Sequence, residues 1–239
     1  VLKNKRVINL TKNYLFPKYY YFKNIFFQSM PISISICGYA LASAIIFTYV
    51  GQSGEYAVAG YGVGTRVEQV LLLPILGINT AVISIIAQNY GANNISRIKE
   101  TYFTSIKYAF AIMITAGIIV FLSANIITSF FTDDIEVIEY GQRYLKISAF
   151  VLPAYPVFFL SNSLFMALKK SENAMISNLF RNVLNPIVVF YIAKNINASF
   201  ETFFWMWVGI NWFFSISYFF IIIFYFKVKL NKRSTVVHP

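Results

Sequence analysis

The sequence predicts an all-α polytopic membrane protein with six transmembrane helices. Three observations predict it. Long apolar runs recur along the chain, and the loops between them alternate between rich and poor in Lys and Arg. Charged residues make up only 12% of the sequence, against roughly 25% in soluble domains.

The helices are expected at about 25–50, 56–89, 104–131, 140–167, 173–194 and 202–227. Each reaches or approaches the roughly 20 residues that a helix needs to cross the hydrocarbon core, and most exceed it. Lipid offers backbone N–H and C=O groups no partner but the chain itself, so such runs are helices. The first run carries no charge between Lys23 and Glu55. The second is long enough to tilt or to extend beyond the bilayer. Pro74 lies inside it, Pro153 and Pro156 inside the fourth, and Pro186 inside the fifth. Each removes a helix hydrogen bond, and each kink serves either packing or gating. The fifth run is interrupted only by Arg181. Gly60, Gly62 and Gly64 alternate, which reads as a loosened helix start rather than a GxxxG association face. They are no nucleotide fingerprint, because no strand precedes them. Gly91 is expected to stop the second helix and Ser96 to cap the third. The acidic stretch from Asp133 to Glu139 reads as a solvated helix start.

Lys and Arg mark the cytoplasmic side of a membrane protein. The N-terminal segment 1–24 is basic, as are the connection holding Arg97 and Lys99, the one holding Lys169 and Lys170, and the tail 228–239. Gly51 to Tyr56 holds no Lys or Arg, and Asp133 to Glu139 is acidic. Both ends are therefore expected in the cytoplasm, which requires an even number of spans. The net charge of +11 then reflects retained cytoplasmic Lys and Arg, and no nucleic-acid partner is expected. One Cys, Cys37, and one His, His238, exclude an intrachain disulfide, a Cys/His metal site and a His-based triad. The abundance of Lys, Asn, Ile, Phe and Tyr fits an AT-rich bacterial gene. The chain begins with Val1, so a fragment of a longer product is expected.

Polar residues inside spans are the candidates for function. Glu68 lies about 18 Å along its helix from Tyr56, at 1.5 Å per residue. A carboxylate at that depth must pair, face water or hold its proton. It is either a cation or substrate site or a structural partner of another helix. Arg66 is two positions away and is expected on a different face. Arg181 either snorkels to the interface or forms a gate contact. Asn162, Asn178, Asn182 and Asn185 suit interhelical hydrogen bonds or substrate contact. Asn79, beyond Pro74, is a candidate for cavity exposure. Tyr39 could stack on a flat cation. Glu68 alone makes no catalytic constellation, so no enzyme and no catalytic residue is expected.

The stretch from Ala57 to Glu100 resembles the multidrug and toxic compound extrusion (MATE) family. The residues that carry the likeness are Gly62, Gly64, Arg66, Val67 and Glu68, then Pro74, then Ala87, Gln88, Asn89, Gly91, Ala92 and Asn94. Phe130 to Ile147 and Ala167 to Ile187 are similar to later parts of the family pattern. The resemblance implies the C-terminal six-helix lobe of a twelve-helix, pseudo-two-fold exporter. Segment 1–24 would be the cytoplasmic link, 25–227 the transport lobe and 228–239 the tail. The implied partners are membrane lipid, an N-terminal six-helix lobe and a small organic substrate, often cationic. The implied coupling ion is a proton or sodium, with no cofactor and no bound metal. The NorM branch carries acids at positions that fall here near Tyr39 and Phe158, so the chain looks more like the DinF branch. The rival readings are a lipid-linked oligosaccharide or lipid II flippase and a non-transporting accessory subunit. The place implied is the bacterial inner membrane.

Overall fold

The computed structural model describes residues 19–230, and every regular element among them is helical. They are α1 (Tyr19–Val50), α2 (Glu55–Gly91), α3 (Ile95–Ser129), α4 (Ile135–Ser148), α5 (Tyr155–Ala167), α6 (Ser171–Leu179), α7 (Asn185–Asn195) and α8 (Phe200–Tyr225). Most of the expected link 1–24 and tail 228–239 lies outside the described residues, while Tyr19 onward is already α1. Five helical stretches are long and apolar enough to cross a membrane. The pair α4 and α5, bent by 40°, makes a sixth if counted as one span.

Two expected spans are not straight helices, and both departures have local causes. The fourth breaks after Ser148 and passes through a 3-10 turn, Leu152–Ala154. Pro153 opens that turn and Pro156 opens α5. Proline tolerates a first helical turn but cannot continue one. The fifth widens into a π turn, Phe180–Leu184, immediately before Pro186. Such bulges collect at functional sites, and Arg181 sits in this one.

The third helix starts at Ile95 rather than 104. Asn94 caps it by accepting from the Arg97 backbone N–H at 3.1 Å, and Ser96 lies inside the helix. The charged first turns fall outside an apolar run, yet Arg97 and Glu100 pair across one turn at 2.9 Å. α4 likewise begins early, with Asp134 accepting from the N–H groups of Glu136 and Val137. Gly91 ends α2, but the left-handed residue of that turn is Asn93. Lys169 and Asn197 turn the chain the same way before α6 and α8.

α2 packs against α3, α4 and α5, while α1 lies on α6 and α7. Gly60 and Gly64 are one helical turn apart and do form an association face, contrary to the expectation of a loosened start. A Cβ at Gly60 would stand 2.7 Å from the Gly141 backbone nitrogen. A Cβ at Gly64 would enter the Tyr144 ring, whereas Gly62 faces open space. Small residues let membrane helices approach backbone to backbone. Two buried clusters fill the lobe, one around Tyr49, Tyr61, Tyr144 and Phe203, the other around Ile86, Tyr102, Leu164 and Ile222.

Candidate functional site

The irregular fourth and fifth spans meet α1, α2 and α8 around one cavity of about 640 Å³. That falls within the range of small-molecule sites, roughly 300–1,000 Å³. Its walls are strongly aromatic: Tyr39 and Phe47 from α1, Tyr61 from α2, Tyr144 from α4, Tyr155, Phe158 and Phe159 from α5, and Phe204 and Trp207 from α8. Its charged residues are Arg66, Glu68 and Arg181.

Glu68 is tied to the broken span from both sides of the break. The Tyr144 hydroxyl, from the end of α4, donates to its Oε2 at 2.8 Å. The Tyr155 hydroxyl, from the start of α5, donates to Oε1 at 3.5 Å. The bend thus delivers two donors that a straight helix would set 11 positions apart, about 16 Å along its axis. Gly64, one turn before Glu68 on α2, leaves the space that Tyr144 fills. No ion pair joins Glu68 to Arg66 or Arg181 among the described residues. Its partner on another helix is a pair of phenols rather than a cation.

Arg181 does not snorkel. Its guanidinium carbon sits 4.4 Å from the Phe158 ring centre, 4.8 Å from Tyr155 and 5.6 Å from Phe159. Its Nε donates to Asn211 Oδ1 at 3.1 Å. Asn211 is buried and fixed by its own bond to the Trp207 carbonyl at 2.9 Å. The π turn rotates Arg181 inward, where apolar faces replace the water it would reach at the interface.

Four sequence candidates therefore share one cavity: Tyr39, Arg66, Glu68 and Arg181. Arg66 and Glu68 both line it, along with Gly62, Thr65, Gln69, Leu72 and Leu76 of the same helix. Asn178 and Asn182 join them. Asn79 does not, since its Oδ1 accepts from Ser163 of α5. Asn162 is buried behind the wall, donating to Asn178 at 3.1 Å and accepting from Tyr218 at 3.0 Å. Asn185 was expected to bond between helices, yet both its side-chain polar atoms are buried without a hydrogen-bond partner among the described residues. Pro74 sits on the exposed side of a continuous α2, and Pro153 forms the break in span four. Sequence reasoning missed Tyr144 and Tyr155. Tyr155 lies between Pro153 and Pro156 and Tyr144 nine residues before Pro153, but nothing in the sequence marks either one out among the 17 tyrosines.

The MatE family profile matches residues 31–191. The FAD transporter of Shewanella oneidensis is 27% identical over 144 residues, which is 60% of this chain and 32% of that protein. The multidrug export protein MepA of Staphylococcus aureus is 23% identical over 189 residues, 79% of this chain and 42% of MepA. A MOP superfamily transporter from Pyrococcus furiosus superposes with a TM-score of 0.84 at 20% identity, over 95% of this chain and 50% of its own. A MATE structure in complex with MaL6 gives a TM-score of 0.85 at 19% identity, over 98% of this chain and 52% of its own. The chain spans less than half the length of the two curated relatives and about half of these solved structures. At these identities the structural likeness establishes the fold.

Proposed function

The chain belongs to the MatE family, a family of transporters rather than enzymes, and on that premise we propose that it is one lobe of a secondary active exporter of organic compounds. The observation that carries this reading is the 640 Å³ cavity, which sets three ionisable side chains among apolar helices of membrane length. Ionisable groups inside a bilayer are costly and mark transport pathways. The names of the relatives, a FAD transporter and a multidrug export protein, support an organic cargo.

In this proposal a second, N-terminal six-helix lobe completes a twelve-helix transporter. The two lobes rock about a central path and expose the cavity to each side in turn. The six spans, counting α4 and α5 as one, leave both ends in the cytoplasm of a bacterial inner membrane. Residues 1–24 form the link between lobes. A proton or sodium gradient drives the cycle, and the coupling acid lies in the other lobe, as in the DinF branch. Support for that branch comes from Tyr39 and Phe158, which line this cavity where NorM-type members would carry acids. Glu68 anchors the bent span to α2 and holds the wall in shape. Arg66 and Tyr39 meet the substrate at the mouth.

Expression in a drug-sensitive bacterium tests the proposal. Residues 1–239 alone should give no resistance, and resistance to a panel of organic compounds should appear once an upstream lobe is supplied. Unchanged drug accumulation in cells that hold both lobes in the membrane would refute it.

A further inference from the structure

The charge of the favoured substrate can be read from which groups in the cavity are already satisfied; the inference rests on taking the cavity as the substrate chamber. Glu68 has one phenolic hydroxyl on each carboxylate oxygen. Three ring faces of the cavity, Tyr155, Phe158 and Phe159, are already occupied by the guanidinium of Arg181. An incoming cation would find both carboxylate oxygens already bonded, three of the ring faces occupied and a positive charge beside them. The balance for an anion is the reverse. Arg181 spends only Nε on the protein, at Asn211. Neither of its Nη groups has an acceptor among the described residues, neither is a fully buried unpaired atom, and Arg181 lines the cavity wall. Arg66, which also lines the cavity, is exposed and has no carboxylate partner among the described residues.

We infer that this cavity selects a planar aromatic compound bearing an acidic group, with the acid on the Arg181 Nη donors and the ring between the aromatic walls. A guanidinium presents two parallel N–H donors that suit a carboxylate, sulfonate or phosphate. The remaining walls offer stacking surfaces that do not depend on charge. Because Arg181 is pre-ordered by three rings and Asn211, little side-chain freedom is lost when it binds an acid.

The test uses two probes with one ring and opposite charge, pyrene-1-sulfonate and (pyren-1-ylmethyl)trimethylammonium. The chain is placed in lipid nanodiscs, and binding is read as energy transfer from tryptophan to pyrene, with empty nanodiscs subtracted. The sulfonate should bind on the order of tenfold or more tighter, the size of one charge-assisted hydrogen bond. Arg181→Gln should abolish that preference, and Arg181→Lys should keep part of it. Inorganic phosphate at millimolar concentration should not displace the sulfonate. Equal binding of both probes, tighter binding of the ammonium, no saturable binding of either, or displacement by phosphate would each overturn the inference. The comparison on the unmodified chain needs no variant to fold. Drug resistance from the two-lobe protein combined with cation preference here would sink this inference and leave the exporter reading standing.

Discussion

Replacing Gly64 by Ala should loosen the site by displacing one wall residue, Tyr144, while leaving Arg66, Glu68 and Arg181 unsubstituted. A Cβ at Gly64 would enter the ring of Tyr144. That ring cannot retreat freely: it is 5% exposed, and its centre lies 4.9 Å from Tyr61 and 4.8 Å from Phe204. Overpacking of this kind costs about 1–3 kcal/mol. Moving the ring also draws its hydroxyl away from Glu68, a bond to a charged acceptor worth about 1.5–3 kcal/mol. Against this, Ala gains up to about 1 kcal/mol over Gly inside a helix. The net loss is about 1.5–6 kcal/mol. Gly62→Ala is the matched control, because nothing lies within 4 Å of its Cβ, and it should be neutral or stabilising. Equilibrium unfolding in mixed micelles, followed by near-UV circular dichroism, measures both. In a Tyr144→Ala background Gly64→Ala should cost almost nothing, since the clash and the bond have gone together. Equal stabilities for the two Ala variants, or full additivity with Tyr144→Ala, would refute the close-packing argument.

Glu68→Gln keeps an acceptor for one tyrosine and loses the charge, so stability should fall by about 1–2 kcal/mol while exchange by the two-lobe transporter survives; abolished exchange in well-folded vesicles would instead make Glu68 the coupling group. Asn185→Leu should not lower stability, because it removes two buried polar atoms that have no partner. Asn162→Leu should cost about 1–3 kcal/mol, because it strands Tyr218 and Asn178; a similar loss for both variants would show that Asn185 has a hidden partner. Single cysteines in a Cys37→Ala background should be labelled from outside at positions 53 and 134 but not at 94 or 171, and external labelling at 94 would reverse the topology.

The helical class was legible because bilayer thickness imposes a length and forbids unpaired backbone, and both constraints leave marks in composition. Helix ends were legible only where apolar runs stop. The runs end where hydrocarbon would, but α3 and α4 continue into water, capped by Asn94 and Asp134. Proline positions announced that the fourth and fifth spans would be irregular, but not how. The same residue type gives a 40° break at Pro153, a π turn before Pro186 and an uninterrupted helix at Pro74. What decides is whether a neighbour can satisfy the freed groups, which is tertiary information. The association face failed for another reason. Gly60, Gly62 and Gly64 contain a four-residue repeat hidden by the glycine between, and only packing on Gly141 and Tyr144 shows which pair matters.

Depth in the sequence marks Glu68 and Arg181 as candidates separately and names no partner for either. The structure separates them by giving each a different kind of partner: phenols for the carboxylate, ring faces for the guanidinium. Tyr155 belongs to both sets, with its hydroxyl toward Glu68 and its face toward Arg181. The bend between α4 and α5 is what allows this, since Tyr155 is the first residue after it. A change in the bend would therefore move the carboxylate's donor and the guanidinium's platform together. Straightening span four would withdraw a hydroxyl from Glu68 and uncover one side of Arg181 in the same motion.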